Sequence, residues 1–497
     1  MLSKYKKNIL PLSLLITASL LSGCNSSDDN EAPKLSGNSA PVVAENTLLV
    51  TQYTATDADN DDVSYSLSGT DSALFSIDQN GQLTFNSAPD FDNGDTGPYS
   101  ITVVATDNGK DLLTDEINVT VTVGDVKDTP SLAVVQTVAP DYSNSEVVYI
   151  NGYSQQINSG YYIKDASDYT LSSHKTDVYH IGRFFIDTIE KYSAASTDER
   201  DTQLWSFSTQ DAQDSISRNP YTLVSLSESK AYLLRYGSSK VWIVNPQATN
   251  IDDFKVGELD LSSYVAQNNS NETPNPAAAV INDNKLYIVM QRLSDAWKPN
   301  TTYVAVFDTE TDEEIETNAN DDDTVKGIPL QGLNPLEHSI TSGNDKIYIT
   351  TRSDYGNTDI SLSRIEEITP SDYSVRQVLN ASNITDNTNS FIKSSVILSD
   401  EIGYFYVSQS VYVPSYHEVS ALYQFNPSTG EITNSNVANT GTERINFIDV
   451  DAANFLWVSV ETPSAPGIDI INTTTNEQVN SRLPTDLNPN VIRFIEK

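Results

Sequence analysis

The chain is poor in several things at once. It has a single cysteine in 497 residues, so no intramolecular disulfide can form, and the lone thiol argues against thiol chemistry in a folded site. Positive charge is scarce: Lys and Arg number 29 against 68 Asp and Glu, a formal charge of −39. Such a surface repels phosphate backbones, which excludes nucleic acid as a partner. No apolar run is long enough to span a bilayer; the longest, Ile9 to Leu21, covers about 13 residues. Helical periodicity is missing. So are a Gly-x-Ser-x-Gly elbow, a phosphate-binding glycine loop and a His-Glu-x-x-His pair. His174, His180, His338 and His417 are scattered, the pattern of structural or solvated histidines.

What remains is apolar enough to fold, at 38% hydrophobic residues. The N-terminus carries Lys4, Lys6 and Lys7, then the short apolar run, then Leu21-Ser22-Gly23-Cys24. This resembles the signal peptide and lipobox of bacterial lipoproteins. The resemblance implies cleavage after residue 23 and a lipid on Cys24, with Asn25 after it favouring the outer membrane and the cell surface. Residues 24–40 are rich in Ser, Asn and Asp and read as a flexible tether.

Residues 41–128 show short alternating runs, such as Val63 to Leu67 and Ile117 to Val123, separated by turn residues. Period two over about 90 residues predicts an antiparallel β-sandwich. Acidic residues fall at the strand ends. Ala44-Glu45-Asn46, Asp57-Ala58-Asp59, Leu74 to Asp78, Pro89 to Asp92, Tyr99 to Asp107 and Asp125 to Asp128 resemble, in order, the motifs of cadherin repeats. The resemblance implies calcium, a hard cation that takes oxygen ligands. It assigns Glu45, Asp90, Asp92, Asp125 and Asp128 to one end of the domain and Asp57, Asp59 and Asp107 to the other, with Asn38 as the upstream contribution. A solvated acidic rim is the competing reading, because a single repeat supplies only half of each site.

Residues 129–497 carry a repeat of about 55 residues. Tyr179, Tyr232, Tyr287, Tyr348, Tyr404 and Trp457 mark one strand of each unit, spaced 53, 55, 61, 56 and 53 residues apart. A second strand ends in Asn-Pro or Asp-Thr turns, as in Asn245-Pro246 and Asp308-Thr309. Units of this length predict blades of a β-propeller. Six copies are visible; pairing residues 131–170 with the last strand, Val491 to Ile495, makes a seventh, with six or eight blades still open. The fold class is therefore all-β, a cadherin-like sandwich plus a seven-bladed propeller.

Trp205, Trp242 and Trp457 fall in strand patterns, whereas Trp297 lies in a loop, where it could stack on a sugar or a flat cofactor. Arg183, Arg235, Arg292 and Arg352 follow the aromatic strands of four successive units at similar offsets. Placed on the innermost strands, they would ring the central channel and bind an anion. Three functions are compatible: a surface adhesion or ligand-binding lipoprotein, with the propeller as binding face; a capture protein for a corrinoid, siderophore or glycan beside an outer-membrane transporter; and a propeller enzyme of the hydrolase or lyase type.

Overall fold

The structure is a computed structural model describing residues 30–45, 47–91, 94–124, 132–152, 154, 156–317, 325–355, 360–385, 390–413, 416–440, 443–479 and 481–495. The chain divides into two compact units, Met1–Lys127 and Asp128–Lys497.

In the first unit the period-two runs become strands with one face in. Tyr99–Asp107 alternates buried and half-buried residues, and Thr114–Gly124 pairs with it in antiparallel register. Val63–Ser68 and Val42–Ala44 complete that sheet; Leu49–Gln52, Phe75–Ile77 and Gln82–Phe85 form the facing one. Leu83, Val103, Val121 and Tyr53 fill the space between. Lys34–Ser36 pairs with Thr54–Thr56, and Leu35 is buried in the same core. The tether expected over residues 24–40 therefore ends early: one apolar side chain in a polar stretch is enough to seat an edge strand.

The second unit consists of seven four-stranded antiparallel sheets, one with a short additional strand. Each aromatic-bearing strand is the second of its blade, not the innermost as the arginine argument assumes: Tyr169–His174 precedes Asp177–Gly182, and Pro276–Asn282 precedes Lys285–Met290. The inner strands face the channel, so they carry small and polar residues such as Tyr-Thr-Leu-Ser-Ser-His and Pro-Ala-Ala-Ala-Val-Ile-Asn, which give little periodic signal. The second strands lie between two blades and are mainly apolar and buried.

Their aromatics also staple blades together. Tyr232 donates to Asp312 Oδ1 at 2.7 Å in the Asp-Thr-Glu-Thr-Asp turn of the next blade, and Tyr404 donates to Asn476 Oδ1 at 2.7 Å in the turn of its neighbour. Buried hydroxyls need such partners. Closure of the ring uses both termini: Asn488–Ile495 is the inner strand of the first blade and pairs with Leu132–Val138, followed by Ser145–Ile150 and Ile157–Lys164. Two sheet edges disappear in this way.

Candidate functional sites

The sandwich gathers carboxylates at one end. Asp57 Oδ1 accepts from the amides of Asp59 and Asp61 at 2.9 and 3.1 Å. Asp107, 2% exposed, accepts from the amides of Gly109 and Leu113, each at 3.1 Å. Asn30 reaches in from upstream, donating to Asp107 Oδ2 at 3.1 Å and to the Lys110 carbonyl at 2.7 Å, while the Glu31 amide donates to Asp59 Oδ2 at 2.8 Å.

Two oxygens of this cluster, Asn30 Oδ1 and Asp57 Oδ2, are buried without a hydrogen bond. A Cβ at Gly109 would collide with Asn30 Oδ1 and Asp61 Oδ2, so these two flank one spot. The Asp61 carboxyl is pushed up by desolvation and then by the negative charge of Asp57, Asp107 and Asp59. An all-oxygen set with orphaned lone pairs fits a calcium ion chemically. It is not a closed coordination sphere: among the described residues no three His, Cys, Asp or Glu groups are placed to hold one ion.

Asn30 and Asp61 were not anticipated. Asn38, expected as the upstream contribution, turns back to accept from the Ala40 amide. At the other end, Glu45 is 2% exposed and accepts from the Phe91 amide at 2.7 Å, tying it to the turn that holds Asp90. Asp92, Asp125, Asp128 and Cys24 lie outside the described residues.

The propeller's site lies in its channel. In a regular strand adjacent residues face opposite ways, so Glu337 and His338 should not both look inward. The register of Pro335–Gly343 against its partner is broken between Pro335 and Ile340, and His338 has φ +62. This bulge turns both side chains to the channel. Comparable breaks occur at Ile392/Ser394 and Ile445/Phe447, beside Lys393 and Asn446.

Glu337 is the hub. Arg183 Nη1 donates to its Oε2, and Thr170 Oγ1 donates to Oε1 at 3.0 Å. His338 Nε2 stands 3.2 Å from Oε1. On the other side of the imidazole, Arg493 Nη2 is 3.0 Å from Nδ1. A guanidinium can only donate. His338 Nδ1 must therefore carry a lone pair, leaving the ring neutral with its proton on Nε2 toward Glu337. Burial lowers the His338 pKa in the same direction. Burial alone would raise Glu337, but Arg183 and His338 hold it well below the usual carboxylate range.

Two cavities meet at this belt. One, about 210 Å³, is lined by Glu337, His338, Arg183, Lys393, Glu418 and Arg444, among others. The second, about 200 Å³, lies against Glu337, His338, Asp449 and Arg493. Lys393 Nζ is 3.6 Å from Glu418 Oε1, and Arg444 Nε is 3.4 Å from Glu418 Oε2, so one carboxylate serves two cations. Burial depresses the Lys393 pKa against Glu418, and Arg352 and Arg444 depress it further. Asp449 is pushed up to about 6 by burial, which Arg493 only partly offsets.

The four arginines read from the repeat do not share a pocket. Arg183 lines the channel cavity, held by Asp168 as well as Glu337. Arg352 lies over the rings of Tyr355 and Phe391. Arg235 is 1% exposed, stacked on Trp242 with its Nη1 3.2 Å from Asp211 Oδ2. Arg292 donates to the Tyr264 and Thr301 carbonyls. Because they follow second strands, they start one strand further from the axis than expected, and local partners capture two of them. Trp297 is 66% exposed. Glu337, His338, Lys393, Arg444, Asp449 and Arg493 escaped the sequence reading because they come from four different inner strands, and His338 looked like one more scattered histidine.

No curated protein matches the chain. Solved structures resembling it include a candidate 6-phosphogluconolactonase from Bacteroides fragilis (12% identity, TM-score 0.49, covering 74% of this chain and 99% of that one). Others are the periplasmic gluconolactonase of Pseudomonas aeruginosa (11%, 0.45, 73% and 99%) and the β-propeller domain of the trilobed protease from Pyrococcus furiosus (13%, 0.42, 73% and 98%). These are distant likenesses, and the seven sheets establish the propeller without them. For the first unit the comparison is direct: the cadherin domain matches residues 42–124, the stretch that folds into the sandwich.

Proposed function

We propose that this protein is a cell-surface lipoprotein whose propeller binds a small anionic group in its central channel, with the cadherin domain as a calcium-binding spacer. One observation carries the binding reading. In a chain of charge −39, three cations, Arg183, Lys393 and Arg444, line a single cavity against two carboxylates, Glu337 and Glu418. Lys393 is the least satisfied of them, since it shares Glu418 with Arg444. Asp168 and Glu461 back Arg183 and Arg444 from beside the cavity, so Lys393 is the cation that an entering carboxylate or phosphate would pair with. The volume, about 210 Å³, is below the roughly 300–1,000 Å³ usual for ligand pockets and suits one small group.

Calorimetric titration with galacturonate, gluconate, citrate and phosphate tests this. At least one should bind, and Lys393→Met and Arg444→Gln, checked for intact folding by circular dichroism, should each weaken it about tenfold or more. Unchanged affinity in both variants would remove the channel as the site. The anchor has its own readout: labelling with a clickable palmitate analogue should mark the wild type and not Cys24→Ser.

A second reading, an enzyme of the hydrolase or lyase type, draws on the neutral His338 beside the ionised Glu337 and on the depressed Lys393 in one cavity. Consumption of a bound acid, followed by NMR, would select it.

A further inference from the structure

The exposed aromatic residues of the described chain are confined to one face of the propeller. They are Tyr142, Phe184, Phe185, Trp297, Tyr355, Tyr412 and Tyr416. Each lies in the loop between the second and third strands of its blade. Tyr142 follows Leu132–Val138, Phe184 and Phe185 follow Asp177–Gly182, and Trp297 follows Lys285–Met290. Tyr355 follows Lys346–Arg352, and the Tyr412 and Tyr416 pair caps the hairpin after Gly403–Val411. In an antiparallel blade, second strands end where inner strands begin, as Tyr169 opposite Gly182 shows. All these loops therefore crown one rim, and five of the seven blades contribute.

The same rim opens into the channel. A cavity of about 270 Å³ at that end is lined by Tyr142, Asp168, Arg183, Arg444, Glu461 and Asn490, among others. Arg183 and Arg444 also line the cavity holding Lys393 and Glu337, so the mouth and the cation cluster are continuous.

We infer that this face binds an acidic oligosaccharide, one sugar carboxylate entering the cation-lined cavity while neighbouring sugars stack on the rim aromatics. The inference rests on the anion reading above and gives it a substrate class. A pyranose presents an apolar C–H face that packs on the electron-rich face of an aromatic ring, with hydroxyls left around its edge. An extended glycan needs such rings at several places along its length, which five separate loops provide, three with one ring and two with a pair. A protein partner would instead call for a contiguous apolar patch with a buried core. The loops are also braced: Lys298 Nζ is 2.9 Å from Asp354 Oδ2, linking the Trp297 loop to the Tyr355 loop, and the Phe184 and Phe185 rings lie 4.3 Å apart. At the mouth Arg183 and Arg444 balance Asp168 and Glu461, so in a chain of charge −39 an acidic glycan meets no net negative charge among these four side chains.

Trp297 supplies a direct readout. The other tryptophans, Trp205, Trp242 and Trp457, are 8, 2 and 1% exposed, so acrylamide quenching reports mainly on Trp297. The full chain is titrated with tetramers of galacturonate, hyaluronan and alginate, with cellotetraose as a neutral control and galacturonate, glucuronate, mannuronate and guluronate as single sugars. An acidic tetramer should bind about tenfold or more tighter than its parent acid and protect Trp297 from quenching. Trp297→Ala combined with Phe185→Ala should erase that gain and leave single-sugar affinity in place, while Ile251→Ala on the opposite rim should change neither. Single acids that bind while no acidic tetramer binds better overturn the glycan inference and leave the anion reading standing. Failure of acids and tetramers alike overturns both. Cellotetraose binding as well as the acidic tetramers would also overturn it, because the channel cations would then contribute nothing.

Discussion

The two units handle charge in opposite ways. In the sandwich, carboxylates sit at strand ends and take their hydrogen bonds from backbone amides a few residues away, Asp57 through Oδ1 from residues 59 and 61 and Asp107 from residues 109 and 113. In the propeller channel, charged groups find their partners across the ring: Arg183 pairs with Glu337, 154 residues on, and Arg493 donates to the neutral His338, 155 residues back. A local arrangement survives the loss of one member because water or another amide can replace it. A buried network spanning blades leaves an uncompensated charge when one member goes.

The largest expected effect breaks the network at its hub. Glu337→Gln keeps the shape and removes the charge, leaving Arg183 with Asp168 alone. It should cost the propeller about 3–5 kcal/mol. In scanning calorimetry of the full chain at pH 7, the propeller transition should fall and the sandwich transition should stay where it was. Because Glu337 has a lowered pKa in the fold, its contribution is present above the ordinary value of 4.5 and fades as the pH drops below it. The gap between wild type and variant should close over that range. A gap independent of pH would mean that shape, not charge, is at stake.

Asp449 sharpens the comparison from the other side, as a buried carboxylate whose ionisation opposes folding. Its pKa rises from 3.8 to about 6, so the unfolded chain releases the proton first. Stability is therefore lost as the pH climbs from about 4 to 6, and the cost is complete above that. Asp449→Asn should stabilise the propeller by about 3 kcal/mol at pH 8 and by nothing at pH 3. A destabilised variant at pH 8 would show that Arg493 depends on the Asp449 charge more than burial penalises it.

This contrast also explains what could be read from the chain. The cadherin motifs are contiguous stretches whose meaning lies in a few neighbouring residues, so the gathering of Asp57, Asp59 and Asp107 at one end of the sandwich was legible. The aromatic second strands were legible because one residue type recurs at a fixed place in each blade. The ring closure followed from counting leftovers. The channel was hidden, because Glu337-His338 becomes a site only through a bulge that no composition predicts, and its partners lie on other blades. The arginine pattern was a true periodicity attached to the wrong strand. Asn30 was missed because it stands in a polar stretch that reads as linker until Leu35 is seen in the core.

Calcium gives the smallest effect and tests the local side of the comparison. The N-terminal cluster offers the orphaned Asn30 Oδ1 and Asp57 Oδ2 beside Asp61, with Asp59 and Asp107 adjacent. An ion there would relieve the repulsion that raises Asp61. With too few protein ligands to close its shell, it would keep several waters, and affinity should fall in the range of extracellular modules, about 10⁻⁴–10⁻³ M. At roughly 5 mM calcium, binding to the folded state alone then stabilises the sandwich by about 1–2 kcal/mol. The sandwich transition should rise by a few degrees in calcium and return in EDTA, while the propeller transition stays fixed. Asp57→Asn with Asp61→Asn should abolish the rise, and should also stabilise the calcium-free sandwich slightly, since two repelling charges are gone. That second sign separates an ion site from a rim of solvated carboxylates: a rim would give neither the calcium response nor the gain on neutralisation.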